Sequence, residues 1–174
     1  MNTILCEHFT RQNPFILQPI QVSNSCNKPK GGLWLSPVES KYRWWDWCIE
    51  NMPEWIEGCN FVQISIRKER RLIIDSEENM ENLFPWVPYK YSTGWNQNDI
   101  VRIDFEKLVE SGIDSILLTE KGEGETRFTY PKSLYGWDCE TILVLNNRAI
   151  VEVLEQNLND RLLPQAHHRS LRRR

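Results

Sequence analysis

The constraint that decides most about this chain is the brevity of its apolar segments. Residues 3–9 (TILCEHF), 33–35 (LWL), 60–66 (NFVQISI), 71–74 (RLII), 113–118 (IDSILL) and 140–146 (ETILVLN) read as strands of seven residues or fewer, bounded by Gly, Pro, Ser, Asn or Asp. Few helical patterns interrupt them. Residues 39–50 place Tyr42, Trp45 and Ile49 at spacings of three and four, 76–84 opens on a cap-like serine, and 104–110 ends before Gly112. Residues 14–22 read as extended chain broken by prolines, 85–98 as a loop, 121–125 as a turn, 126–130 as a further strand, and 149–155 as strand or helix. Many short strands without regular strand–helix alternation predict an α+β domain rather than a doubly wound sheet.

At 174 residues a single domain buries about 70% of its unfolded surface, so neither disulfides nor a metal is needed to complete a core. The domain is expected over 1–163, where 17 basic residues face 24 acidic ones. Residues 164–174 form a basic tail with four arginines and no acid, which we read as a solubilising terminus. Five scattered cysteines without a C-x-x-C pair predict reduced, structural thiols and no metal site. No apolar run approaches the length of a membrane span, and the first residues lack the pattern of a secretory signal, so the expected location is cytoplasmic with no membrane partner. Neither G-x-G-x-x-G nor a P-loop occurs, which argues against Rossmann and P-loop nucleotide folds.

Three blocks hold candidate chemistry. The first is His8, inside the first strand and followed by Phe9. The second runs from Gly31 and Gly32 through Trp34 and Ser36 to Ser40, Tyr42 and Trp45. The third is 137–146, where Asp138 and Glu140 head the most apolar strand of the chain. Each has a plain structural alternative: a core histidine, a turn and an amphipathic helix, two solvated acids. Eight tryptophans sharpen the second block, since Trp44, Trp45 and Trp47 crowd together with Trp34 and Trp55 nearby, and indoles supply stacking faces as well as core area.

Taken in this order, the blocks resemble the His-Tyr-Glu group of the ADP-ribosyltransferase fold, which includes diphtheria toxin and the poly(ADP-ribose) polymerases. That group has a histidine in its first strand, a G-x-Y-F-A-like strand, an S-x-S-x-x-aromatic helix start and a late strand beginning E-Y-I. The matching pieces here are His8, the strand from Gly32 to Ser36, the helix start from Ser40 to Trp45, and Glu140-Thr141-Ile142. The two aromatics of the middle block stand 11 residues apart in the family, as Trp34 and Trp45 do here. HFTRQNPF and KPKGGLW are similar to a bacterial and phage-type version of this fold. The chain departs from the pattern in having tryptophan at both tyrosine positions, Phe9 where the polymerases have glycine, and Tyr42 in place of the middle serine.

The resemblance implies a pair of packed small sheets with an NAD cleft and few helices, and an enzyme that transfers ADP-ribose from NAD to a protein or nucleic-acid acceptor as a toxin-like effector. By that similarity Glu140 would stabilise the positive charge developing on the ribose, and Asp138 would orient the acceptor. His8 and Phe9 would hold the adenosine side of NAD, and Gly32, Trp34, Ser36, Ser40, Tyr42 and Trp45 would frame the nicotinamide. An NAD glycohydrolase and a non-catalytic NAD-binding module on the same scaffold are the alternatives. A competing alignment to the Arg-Ser-Glu group uses Arg11, Ser92-Thr93 and Asp138-x-Glu140, and an RNA 2′-phosphotransferase would recruit Arg11 and Lys28.

Overall fold

The structure, a computed structural model, describes residues 2–88 and 101–155. Its elements in chain order are β1 (Thr3–Thr10), β2 (Val22–Ser23), β3 (Lys30–Gly31), β4 (Leu33–Pro37), α1 (Trp44–Asn51), β5 (Asn60–Arg67), β6 (Arg71–Ile74), α2 (Glu77–Leu83), β7 (Trp86–Pro88), β8 (Val101–Ile103), α3 (Phe105–Glu110), β9 (Ser115–Leu118), α4 (Glu120–Thr126), β10 (Thr141–Val144) and β11 (Ile150–Glu155). The α+β class is as expected, with short helices around strands. Seven strands form one hydrogen-bonded order, β11-β5-β1-β4-β10-β9-β6, antiparallel except where β6 meets β9. Two-stranded ribbons, β2 with β3 and β7 with β8, stand beside it.

Alternation along the strands divides the apolar residues between two faces. Leu33, Leu35, Ile142, Val144 and Leu117 join Cys6, Ile64 and Ile66 in one buried cluster, closed by Phe15, Leu17 and Ile20 from the proline-broken segment. Ile116, Leu118 and Leu143 point the other way, into a second cluster with Met80 of α2, Phe105 and Leu108 of α3, and Trp137. Trp34 packs against the second cluster, so β4, like β9 and β10, serves both cores.

Several helix boundaries follow from caps visible in the sequence. Ser76 accepts the Asn79 N–H at 3.1 Å to open α2, and Asp104 accepts that of Lys107 at 3.0 Å to open α3, which closes into Gly112 at φ +84°. Three stretches correct the sequence expectation, the first being the loop read over 85–98, of which Trp86–Pro88 form the strand β7. The turn at 121–125 lies in the helix α4, and of the strand at 126–130 the first residue, Thr126, ends that helix while 127–130 is irregular chain. The two glycines of EKGEGE lower helix propensity, but Thr119 caps the helix, Arg127 pairs with Glu123 at 2.7 Å, and Gly122 lies so close to β6 that an added Cβ would sit 2.2 Å from the Ile74 carbonyl oxygen. The third correction is α1, which starts at Trp44 rather than near Glu39. The acceptors for its first N–H groups are Ser36 Oγ, 3.2 Å from the Trp44 nitrogen, and the Asp46 carboxylate, 3.0 Å from the Arg43 nitrogen. Ser40 and Tyr42 therefore lie in the turn before the helix.

Candidate functional site

The site begins where a ladder stops. β1 pairs with β5 along its whole length, from Thr3 opposite Arg67 to Thr10 opposite Asn60, but with β4 only at Cys6 opposite Pro37 and Glu7 opposite Ser36. Beyond Glu7 the two strands part, and the His8 ring reaches across to the Trp34 carbonyl, with Nδ1 at 3.0 Å. A carbonyl oxygen only accepts, so Nδ1 carries the hydrogen and Nε2 is the basic nitrogen of the neutral ring. Burial holds the His8 pKa below the ordinary 6.5, opposed in part by this hydrogen bond.

The parting strands open a cavity of about 320 Å³ walled by Trp34, Trp44, Trp55 and Trp137, with His8 and Phe9 at one side and Gly136 to Cys139 at the other. Trp137 stands edge-on to Trp34 at 4.7 Å and donates its indole N–H to the Asn27 carbonyl at 2.9 Å, fixing the wall. Trp44 stacks on Trp47 at 4.9 Å, and Trp55, 49% exposed, leans on both.

Three charged side chains line the cavity. Glu7 has a fully buried side chain and meets Arg43 at 3.4 Å. Asp138 accepts from Arg127 at 2.7 Å, the same guanidinium that Glu123 holds. Lys28 sets its ammonium 5.3 Å from the Trp34 ring centroid. The Cys139 thiol is pushed up to about 12, mainly by burial and then by Asp138, so it stays protonated and is a poor nucleophile. All five cysteines are free, and among the described residues no group of three or more His, Cys, Asp and Glu is placed to hold a metal ion. Among the described residues no helix is long and apolar enough to cross a membrane.

Of the residues singled out in the sequence, His8, Phe9, Lys28, Trp34, Ser36 and Asp138 line this cavity. Gly32, Ser40, Tyr42, Trp45 and Glu140 do not. Gly32, at φ +77°, has a packing role, since a Cβ there would lie 2.6 Å from Leu143 Cδ1. Tyr42 turns outward to donate to Glu50 at 2.8 Å, and Trp45 stacks on Phe9 at 5.3 Å, supporting the wall from behind. Glu140 stands half-buried just ahead of β10, between the lining residues Cys139 and Thr141. Arg11 reaches the Glu54 carbonyl at 3.4 Å, away from the lining, while Ser92, Thr93 and the arginine tail lie outside the described residues.

Sequence reasoning missed Glu7, Trp44, Trp55 and Trp137 as lining residues. An acid in the middle of a strand otherwise facing cores is the one visible signal for Glu7. The tryptophans are visible only as an excess. Comparison with models of protein families, with curated proteins and with solved structures found no match to this chain.

Proposed function

We propose that the cavity binds the nicotinamide-ribose half of NAD and that the protein transfers ADP-ribose from it to a macromolecular acceptor, releasing nicotinamide. The observation that carries this reading is convergence: His8, the Trp34–Ser36 strand and Asp138 come from three blocks spread over 131 positions and meet at one cavity. At about 320 Å³ it lies at the lower end of the usual 300–1,000 Å³ for ligand sites, a size suited to half of a dinucleotide.

In such a transfer the bond from ribose C1′ to the nicotinamide nitrogen breaks with its electron pair going to nitrogen, through a loose cationic sugar comparable to that of glycosidases. The acceptor oxygen or nitrogen then bonds to C1′ and surrenders its proton. An anion beside the sugar is what the transition state needs, and it acts most strongly in a site screened from water. Asp138 supplies a carboxylate in the wall, with Oδ1 engaged by Arg127, and Glu140 stands two residues further on. The neutral His8, anchored through Nδ1, presents Nε2 as an acceptor for a ligand hydroxyl, which is a positioning role.

The test is nicotinamide release from NAD by the purified protein, with and without bacterial lysate as acceptor source. Release should fall by at least about a hundredfold in whichever of Glu140→Gln and Asp138→Asn removes the working anion. Label retained on lysate macromolecules marks a transferase, and release without label marks a glycohydrolase. A non-catalytic NAD-binding module is favoured by one specific observation, that Glu140 is not a lining residue. NAD binding without release from the folded wild-type protein would overturn the enzymatic reading in its favour.

A further inference from the structure

We infer that Lys28 is the anion-binding residue of the cavity, placed to take the diphosphate of a nucleotide ligand. The charges of the wall point to it. Both lining carboxylates are already answered by arginines, Glu7 by Arg43 and Asp138 by Arg127. Lys28 forms no ion pair among the described residues, and its ammonium rests instead over the Trp34 ring. An ammonium has three hydrogens to donate, and a ring face satisfies it less well than a charged oxygen does.

Its position is built. Gly136, at φ +91°, carries no side chain where a Cβ would come 3.7 Å from Lys28 Cε, so the stem passes close to the segment that leads to Asp138. Burial lowers the Lys28 pKa from its usual 10.5, with Asp138 and Cys139 acting in the opposite sense. Lys28 itself is exposed, so an anion entering from solution can reach its ammonium.

The placement also bears on the ring that Trp34 would stack. A cation already over the indole repels a second cation, so the pyridinium of nicotinamide riboside alone meets an occupied face. A diphosphate draws the ammonium off the ring and frees that face for the pyridinium. Lys28 thereby selects a phosphate-bearing ligand over a nucleoside of the same ring. This rests on the cavity being a nucleotide site, as proposed above, but not on catalysis.

The experiment measures binding of inorganic pyrophosphate, ADP-ribose and nicotinamide riboside through the tryptophan fluorescence of the full chain, in wild type, Lys28→Met and Lys28→Arg. Wild type should bind ADP-ribose more tightly than pyrophosphate, which separates a nucleotide site from a bare anion site. Lys28→Met should weaken both by about tenfold or more and leave nicotinamide riboside unchanged or tighter, while Lys28→Arg recovers the anions. Unchanged thermal unfolding shows that the variants are folded. Anion binding that survives Lys28→Met, or a wild type that binds neither anion, overturns the inference. Loss of anion binding in Lys28→Met with no nicotinamide release by wild type leaves Lys28 as the anion residue and removes the transferase reading. Release of nicotinamide with anion affinity indifferent to Lys28 does the reverse.

Discussion

The two edges of β1 differ in a way that locates the site. Against β5 it is paired from end to end, and only side chains are available to anything approaching. Against β4 it is paired at two positions, after which the His8 imidazole takes the Trp34 carbonyl and four indoles wall an open volume. A finished ladder satisfies its own backbone groups and excludes ligands, whereas an unfinished one must satisfy them with side chains and leaves a cleft. His8 is the side chain that takes over from the ladder, and Trp137 is the wedge behind Trp34.

The largest expected effect comes from removing that wedge. Trp137 is buried and central to the second core, so Trp137→Ala should cost about 3–5 kcal/mol and leave the Asn27 carbonyl without its indole donor. On the finished edge, Ile64→Val removes one methyl group from a fully buried β5 residue and should cost about 0.5–1.5 kcal/mol. Urea midpoints of the two variants measure the contrast. A Trp137→Ala protein as stable as Ile64→Val would mean that the parted strands hold themselves open without the wedge.

A middle-sized effect is expected at Glu7, the last residue paired to β4. Its buried carboxylate and the Arg43 guanidinium tie the seam to the start of α1. Glu7→Leu should cost about 1–3 kcal/mol, less than the loss of a sole partner because Arg43 keeps Asp46 at 3.4 Å. Glu7→Leu combined with Arg43→Leu should recover part of the loss, since an apolar pair can replace a buried ion pair with little penalty. A double-mutant cycle reads the coupling. Zero coupling would mean that the ion pair with Arg43 contributes nothing to the effect of Glu7→Leu.

The contrast between the edges also shows how far residue patterns reach. The strand β5 is legible because period-two alternation needs no information from elsewhere, and α2 and α3 because their caps lie within three residues of the groups they satisfy. The helix α4 is not, because the reason for its Gly122 is the Ile74 carbonyl on another strand. The same holds in the site. His8, Trp34 and Asp138 could be chosen from their places on strands or at strand mouths, yet Glu7 gains its role from an arginine 36 residues away. The 11-residue spacing from Trp34 singles out Trp45, whereas Trp44 is the one that lines the cavity. One residue rotates a helix by about 100°, and a start set by Ser36 and Asp46 puts Trp44 in the cavity and Trp45 against Phe9.

The smallest effect is in pH, and it isolates the residue that bridges the parted strands. The folded protein holds His8 below 6.5, first through burial and only then against the pull of its bond to Trp34, while in the unfolded chain the ring titrates near 6.5. The unfolded state therefore binds the extra proton first on acidification. Stability that is complete above pH 6.5 should decline as pH falls through 6.5 toward the lower folded value. In His8→Gln this part of the dependence should vanish, with the side-chain amide still able to donate to the Trp34 carbonyl. The difference between wild type and His8→Gln, from urea midpoints at pH 7.5 and at successive steps downward, removes every contribution common to the two proteins. If the difference is flat across pH 6.5, His8 titrates as it does in the unfolded chain, and the gap between β1 and β4 admits water as freely as the surface does.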